Sequence, residues 1–382
     1  MHRTEGTDHV DNFFNNGPPG TIVEENWLNS VQEEIIAVLT AAGITPKTAG
    51  TDTRDQLVAA ITALIGEKAS DAVYDASWDG VTDIAPSKNA VYDRIELIER
   101  HLAKGYIMGG WTDASTAVIE DLIFFSETSQ AIAATLDTAK YGGAGVNSAT
   151  KGYIMGGYDA VIEDLIFSSE TSQAIAATLN TVKSYGTGVN SAAKGYIMGG
   201  SSGANTAVIE DLIFSSETSQ PIAATLDTAK YGGAGVNSTT KGYIMGGYTD
   251  AVTAVIEDLI FSSETSQPIA ATLDTAKRSG AGVNSAAKGY IMGGWTTGNI
   301  AVIEDLIFSS ETSQAIAATL DTIKHGGAGV NSPDKGYIMG GSSGANVAAI
   351  EDLIFSSETS QAIAATLDTA KKDDAGVQYG YV

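Results

Sequence analysis

The chain contains no cysteine, which excludes disulfides, thiolate metal sites, thiol nucleophiles and thiol redox centres. Positive charge is also scarce, because 21 Lys and Arg stand against 46 Asp and Glu, giving a net charge of −25. Such a chain lacks the basic surface that grips phosphates, so nucleic acid is excluded as an expected partner. No long apolar run and no signal-peptide pattern is present, so we expect neither membrane insertion nor signal-directed secretion.

Glycine is abundant, with 43 in 382 residues, and much of it belongs to a repeat. The string Gly-Tyr-Ile-Met-Gly-Gly begins at Gly105, Gly152, Gly195, Gly242, Gly289 and Gly336. Successive copies are 47 residues apart, except for one interval of 43 that has lost four residues after its double glycine. Each repeat contains four short apolar segments separated by turn residues, which predicts four strands per repeat.

Four strands in a repeat of this length are typical of a β-propeller blade. The first repeat lacks the Ala-Gly-Val segment that precedes every other Gly-Tyr-Ile, whereas the chain ends with a spare copy at 375–377. We therefore predict a mainly β fold, a six-bladed propeller over residues 104–382, in which the C-terminal strand completes the first blade. Closure would also protect the two end blades from edge pairing.

Two features of the repeat resemble the kelch propellers. One is the double glycine after an apolar strand, as in Gly109-Gly110, and the other is an aromatic residue followed by a Ser/Glu/Thr turn, as in 167–171. The tryptophan that usually follows this turn in kelch repeats is absent here. In a kelch-like propeller we expect the glycines to adopt positive φ or to permit close strand approach. The repeated aromatic positions are expected to pack between blades: Phe124, Phe167, Phe214, Phe261, Phe308 and Phe355.

The first hundred residues have a different pattern, which predicts three helices. Apolar residues from Trp27 to Ala42 fall on one helical face that Gly43 ends, and a second stripe covers residues 57–65. Residues 11–20 are rich in Asn, Gly and Pro, and we expect an extended arm without regular structure. A third helix capped by Ser87 has a heptad-spaced seam formed by Val91, Ile95, Ile98 and Leu102.

The sequence of this region resembles those of tail-fibre and tail-appendage proteins of tailed bacteriophages. The matching N-terminal segments are residues 19–23 followed by 27–35, then residues 41–44, and later the Ala-Pro-Ser-Lys-Asn-Ala-Val-Tyr-Asp of 85–93. The resemblance implies a virion protein whose N-terminal part binds other tail proteins and whose distal domain contacts the host.

From that resemblance we expect three regions. Residues 1–70 would form the virion-attachment region, 71–103 a trimerising linker and helix, and 104–382 the kelch-like propeller. The seam at Val91, Ile95, Ile98 and Leu102 would hold a homotrimer.

Residues suited to catalysis are not assembled in this sequence. The four histidines are scattered, so no metal cluster at ligand spacing is predicted. Each repeat carries an adjacent Glu-Asp pair, but neighbours in a strand point to opposite faces and cannot act together as acid and base. We expect no enzyme activity, no catalytic residue, no metal and no cofactor.

The six repeats differ most at two positions, one after the double glycine and one after the Thr-Ala-Lys segment. Both loops leave the same end of a four-stranded blade, so we expect the variable residues on one face, as an exposed ring. Aromatic and basic residues are frequent there and are typical of recognition sites. The predicted receptor-binding residues are Trp111, Tyr141, Tyr158, Tyr185, Tyr231, Tyr248, Arg278, Trp295 and His325.

Three functions are compatible with these patterns. The first is a phage tail fibre that recognises a host-surface glycan or protein, with polyanions disfavoured by the acidic repeats. The second is a structural collar, whisker or other decoration protein of the virion, without a host receptor. The third is a cellular kelch scaffold, which requires the resemblance of the N-terminal segments to phage tail proteins to be coincidental.

Overall fold

The computed structural model describes residues 9–10, 13–14, 25–44, 69–70, 85–86 and 103–379, with side chains at 33–44 and 103–379. The chain divides into two compact units, Met1–Ile98 and Glu99–Val382.

The first unit contains one described helix and two short strand pairs. Strand β1 (His9–Val10) pairs antiparallel with β2 (Phe13–Phe14), helix α1 spans Glu25–Ala41, and β3 (Ala69–Ser70) pairs parallel with β4 (Ala85–Pro86). The expectation that residues 11–20 hold no regular structure is therefore wrong at Phe13–Phe14, since aromatic residues favour strands and find a partner in β1.

Helix α1 confirms the first predicted helix. It ends next to Gly43, whose φ of +70° is the left-handed conformation that favours glycine at a helix C-terminus. The backbone N–H of Ile44 then donates to the Leu39 carbonyl at 2.9 Å, and the Leu39 side chain is buried. The two later helices, with the seam at Val91, Ile95, Ile98 and Leu102, fall outside the described residues.

The second unit consists of 24 strands within its described part. The first set is β5 (Lys104–Met108), β6 (Val118–Ile123), β7 (Thr128–Thr135), β8 (Ala144–Asn147), β9 (Lys151–Met155), β10 (Val161–Ile166), β11 (Thr171–Thr178), β12 (Thr187–Asn190), β13 (Lys194–Met198), β14 (Val208–Ile213), β15 (Thr218–Thr225) and β16 (Ala234–Asn237). The second set is β17 (Lys241–Met245), β18 (Val255–Ile260), β19 (Thr265–Thr272), β20 (Ala281–Asn284), β21 (Lys288–Trp295), β22 (Asn299–Ile307), β23 (Thr312–Thr319), β24 (Ala328–Asn331), β25 (Lys335–Met339), β26 (Ala349–Ile354), β27 (Thr359–Thr366) and β28 (Ala375–Tyr379).

These strands form six antiparallel four-stranded sheets, which are the blades of the predicted propeller. Blade 1 has the order β28-β5-β6-β7, and blades 2 to 6 each contain four consecutive strands from β8 to β27. In blade 1, Ala375 pairs with Met108 and Tyr379 with Lys104, so closure by the C-terminal strand is confirmed. The fourth strand of each blade includes the Thr-Ser-Gln that follows the turn, because these residues pair with the third strand, as Thr128 does with Ile123.

The core lies at the six junctions between neighbouring blades. At each junction a buried tyrosine of one blade stacks on a phenylalanine of the next, with ring centroids 5.5–5.7 Å apart. The pairs are Tyr106–Phe167, Tyr153–Phe214, Tyr196–Phe261, Tyr243–Phe308, Tyr290–Phe355 and Tyr337–Phe124. The expected packing of the phenylalanines between blades is thus confirmed.

The innermost strands approach one another closely because each carries a glycine at its second position. A Cβ placed on Gly188 would lie 2.1 Å from the carbonyl oxygen of Gly145, and one on Gly145 would lie 2.2 Å from that of Gly376. The same relation continues through Gly235, Gly282 and Gly329 back to Gly376. Backbone therefore meets backbone around the propeller axis, which no larger residue would allow.

Each junction also contains a buried ion pair that the sequence analysis did not predict. The lysine before each variable loop reaches a third-strand glutamate of the next blade at 3.0–3.3 Å, and the glutamates are fully buried. The pairs are Lys140–Glu163, Lys183–Glu210, Lys230–Glu257, Lys277–Glu304, Lys324–Glu351 and Lys371–Glu120.

The aspartate beside each of these glutamates faces the other side of the sheet and forms a second network. Lys104 contacts Asp121 at 2.8 Å and Glu170 of blade 2 at 2.6 Å, and the Tyr106 hydroxyl donates to Glu170 at 3.0 Å. Glu170 adopts a φ of 48°, which is unusual for a residue with a side chain. The Ser/Glu/Thr turns therefore hold neighbouring blades together through their glutamates.

Candidate functional site

The variable face of the propeller is organised around a closed ring of backbone hydrogen bonds. Its six members each donate an N–H to the carbonyl of the equivalent residue in the preceding blade, at 2.6–2.8 Å. We call Gly142, Tyr185, Gly232, Ser279, Gly326 and Asp373 the axial ring. All six have φ between 54° and 68°. Three of the six positions are glycine, so the side chains of Tyr185, Ser279 and Asp373 distinguish their blades.

The residues just before the axial ring are paired with those that follow the double glycines. Backbone bridges join Trp111 to Lys372, Tyr231 to Tyr248, and Arg278 to Trp295. The two variable positions of a blade are therefore neighbours on one face, as the blade geometry required.

Aromatic side chains form a continuous arc over blades 1 to 4. Ring centroids are separated by 4.8 Å for Trp111–Tyr141, 4.7 Å for Tyr141–Tyr158 and 6.0 Å for Tyr158–Tyr185. The arc continues through Tyr185–Tyr231, whose ring centroids are 6.1 Å apart. It ends at Tyr231–Tyr248, with a separation of 5.4 Å.

The aromatic side chains do not form the exposed circle of residues that the sequence predicts. Tyr158 is 55% exposed, whereas the other predicted receptor residues are half-buried. The reason is that neighbouring blades bring the rings into contact, so that each covers part of the next. A hydrogen bond to Tyr158 is the main cause that raises the pKa of Tyr141 to about 12.

The remaining part of the face carries basic groups. Arg278 donates from Nη1 to the Tyr231 hydroxyl at 2.9 Å, and its Cζ lies 5.1 Å from the Tyr248 ring centroid. His325 Nδ1 lies 2.7 Å from Asn299 Oδ1. Burial, and then the charges of Lys372 and Arg278, lower the pKa of His325, so the imidazole is neutral at pH 7.

A basin of about 510 Å³ lies over the axial ring on this face. Of the nine predicted receptor residues, Tyr158, Tyr185, Tyr231, Arg278 and His325 line it, whereas the other four do not. The structure adds members that the sequence analysis left out: Ser184, Ser201, Ser202, Ser279, Lys372 and Asp373. Lys372 occupies the variable position after the Thr-Ala-Lys segment, but a prediction that favours aromatic residues does not include it.

Asp373 is the acidic group of the basin. Burial raises the pKa of its carboxyl, while Lys372 and a hydrogen bond from Tyr185 oppose that rise. Burial, followed by the nearby Asp373 charge, raises the pKa of Tyr185, so its hydroxyl stays protonated and can donate.

The described residues offer no cluster of three or more His, Asp or Glu that could hold a metal ion. Within the same part of the chain, no helix is both long and apolar enough to cross a bilayer. No protein-family model matches the chain, and no curated protein matches it. The geometry of the basin is therefore the main guide to function.

Proposed function

We propose that this protein is a receptor-binding tail fibre of a tailed bacteriophage. Its N-terminal region would attach to other tail proteins of the virion, the seam at Val91, Ile95, Ile98 and Leu102 would hold a trimer, and the propeller would bind a host-surface receptor. The resemblance of the N-terminal segments to phage tail proteins supports the viral part of this proposal. The basin supports the recognition part.

The observation that carries recognition is the contrast between the two faces of one propeller. The Ser/Glu/Thr turns are nearly uniform because they hold blades together, as Glu170 does with Lys104. On the variable face the same repeats carry Tyr, Ser, Arg, His or Lys at one equivalent position. Five of the six residues at this position line a concave basin within the size range of small-ligand sites.

An adsorption assay tests the proposal. The labelled full chain is mixed with bacteria on which the phage grows, and we expect saturable binding that competes with virions. Tyr158→Ala and Tyr231→Ala should each weaken binding by about fivefold or more, as expected for recognition anchors. Absence of adsorption would refute receptor recognition and favour the decoration protein.

The matched control is Ser169→Ala on the opposite face. Ser169 is exposed, and within the described residues its hydroxyl hydrogen-bonds to that of Thr171, at 2.7 Å. Glu170→Ala is unsuitable, because it would break the contacts with Lys104 and Tyr106. Equal loss of adsorption with Ser169→Ala would show that the variable face is not the binding surface.

A further inference from the structure

Among the described residues, the propeller cations without an ion-pair partner line the basin. Between residues 103 and 379 the sequence has thirteen lysines and one arginine. Twelve of these lysines form ion pairs with carboxylates at the blade junctions. Lys372 and Arg278 make no ion pair within the described residues, and both line the basin. In so acidic a chain, this placement indicates a site for negative charge.

The donors of both side chains remain largely unused within the described residues. Arg278 uses one N–H on the Tyr231 hydroxyl, while its position beside Tyr231 and Tyr248 holds the guanidinium in place. The guanidinium has five N–H groups and binds carboxylates in a bidentate manner. Lys372 adds a second positive charge, and both charges act on His325 and Asp373 in the same basin.

The rest of the lining is suited to a sugar. Tyr158, Tyr185 and Tyr231 provide aromatic surfaces, and the hydroxyls of Ser202 and Ser279 provide hydrogen-bonding groups. A concave site with such polar groups is better suited to binding a small hydroxylated ligand than to binding the flat surface of another protein.

We propose that the basin binds a saccharide residue with a single carboxylate, of the hexuronate type. This inference rests on the proposed receptor function and specifies its ligand. The carboxylate lies between Arg278 and Lys372, and the sugar ring lies against the tyrosines. A densely charged polyanion is disfavoured by the net charge of −25, whereas one carboxylate is governed by local contacts because salt screens distant charges.

Calorimetric titration of the full chain with methyl β-D-glucuronide and methyl β-D-glucoside tests the inference, since the two sugars differ only at C6, which is a carboxylate in the first and a hydroxymethyl group in the second. We expect roughly tenfold tighter binding of the glucuronide, weakening as salt is raised. Arg278→Gln and Lys372→Gln should each reduce this preference, and together they should abolish it. Arg278→Lys should keep part of it, since the charge remains but the bidentate geometry is lost.

Equal affinity for the two sugars, or no binding of either, overturns the inference, and so does acetate binding as tightly as the glucuronide. Ser169→Ala should keep the wild-type preference. Adsorption to bacteria separates the two proposals. If Arg278→Gln and Lys372→Gln adsorb like the unmodified chain, receptor binding stands and the acidic sugar is wrong. If the glucuronide binds as expected but the chain does not adsorb, the acidic-sugar site stands and the receptor function is wrong.

Discussion

At the scale of single residues, Asp374 is the clearest departure from the repeat. It occupies the position that is glycine in the other five copies, as at Gly143 and Gly327. A Cβ on Gly143 would lie 2.6 Å from Ile154 Cγ1, which explains why glycine is used there. Among the described residues, neither carboxylate oxygen of Asp374 has a hydrogen-bond partner outside its own residue, and both are shielded from solvent. Burial raises the pKa of this carboxyl to about 7, despite the opposing charge of Lys371.

We predict that Asp374→Gly stabilises the protein at pH 8 and much less at pH 4. In the unfolded chain the carboxyl ionises with its ordinary pKa of 3.8, whereas in the folded protein it ionises at about 7. The folded state therefore loses stability as the pH rises from about 4 to about 7, by on the order of a few kcal/mol at most. Thermal melting across this pH range measures the effect. Asp374→Asn, which removes only the charge, should also raise the melting temperature relative to that of the unmodified chain, by more at pH 8 than at pH 4. An equal rise at both pH values would contradict the prediction.

At the scale of the blade junction, the buried lysine–glutamate pairs combine charge with backbone contacts. Lys183 reaches Glu210 at 3.0 Å, and both side chains are fully buried. Glu210 also accepts the Asn180 backbone N–H at 2.6 Å, so it binds the end of one blade to the third strand of the next. Burial lowers the pKa of Lys183, while the charge of Glu210 opposes that change. The lysine depends on this partner to remain charged.

We predict that Glu210→Gln destabilises the propeller strongly, because it leaves the Lys183 charge buried without a counter-charge. Breaking one partner of such a pair costs about 3–5 kcal/mol, whereas replacing both costs much less. Glu210→Gln should therefore lower the melting temperature, and Lys183→Met combined with Glu210→Gln should recover most of the loss. Ser216→Ala in an exposed turn of the same blade is the control. Equal melting of Glu210→Gln and the unmodified chain would show that the pair adds nothing.

These pairs also show which parts of the structure could be predicted from the sequence. The strands, the phenylalanine positions and the closing strand could be predicted because they follow the period within one repeat. The Lys183–Glu210 pair could not, because its members belong to different repeats, and a Glu-Asp pair in a strand has the pattern of an ordinary solvent face. The basin was predicted in part. Tyr185 and Arg278 were found by their variability, whereas Asp373 and Ser279 depend on the axial ring, which forms only when all six blades meet.

At the scale of the whole propeller, uniform junctions support a variable face. The aromatic and ionic contacts recur at every junction, whereas the repeats differ most at positions around the axial ring. Blades 1 to 4 contribute the aromatic arc, and Arg278, His325 and Lys372 complete the circle with basic groups. Six near-identical units thereby produce an asymmetric basin. This arrangement requires a closed ring, because the basin spans residues from 158 to 373.

We predict that deletion of residues 373–382 opens the ring and destabilises the whole propeller. The deletion removes β28 from its pairing with Lys104–Met108, removes buried Val377 from the core, and takes Asp373 out of the axial ring. The inner edge of blade 1 is then an unpaired strand, which favours aggregation. Light scattering and thermal melting should show loss of monodispersity and a lower melting temperature. Deletion of 380–382 alone is the control, and a synthetic peptide of residues 373–382 should restore the melting temperature. A truncated chain that stays monodisperse with unchanged melting would contradict the requirement for closure.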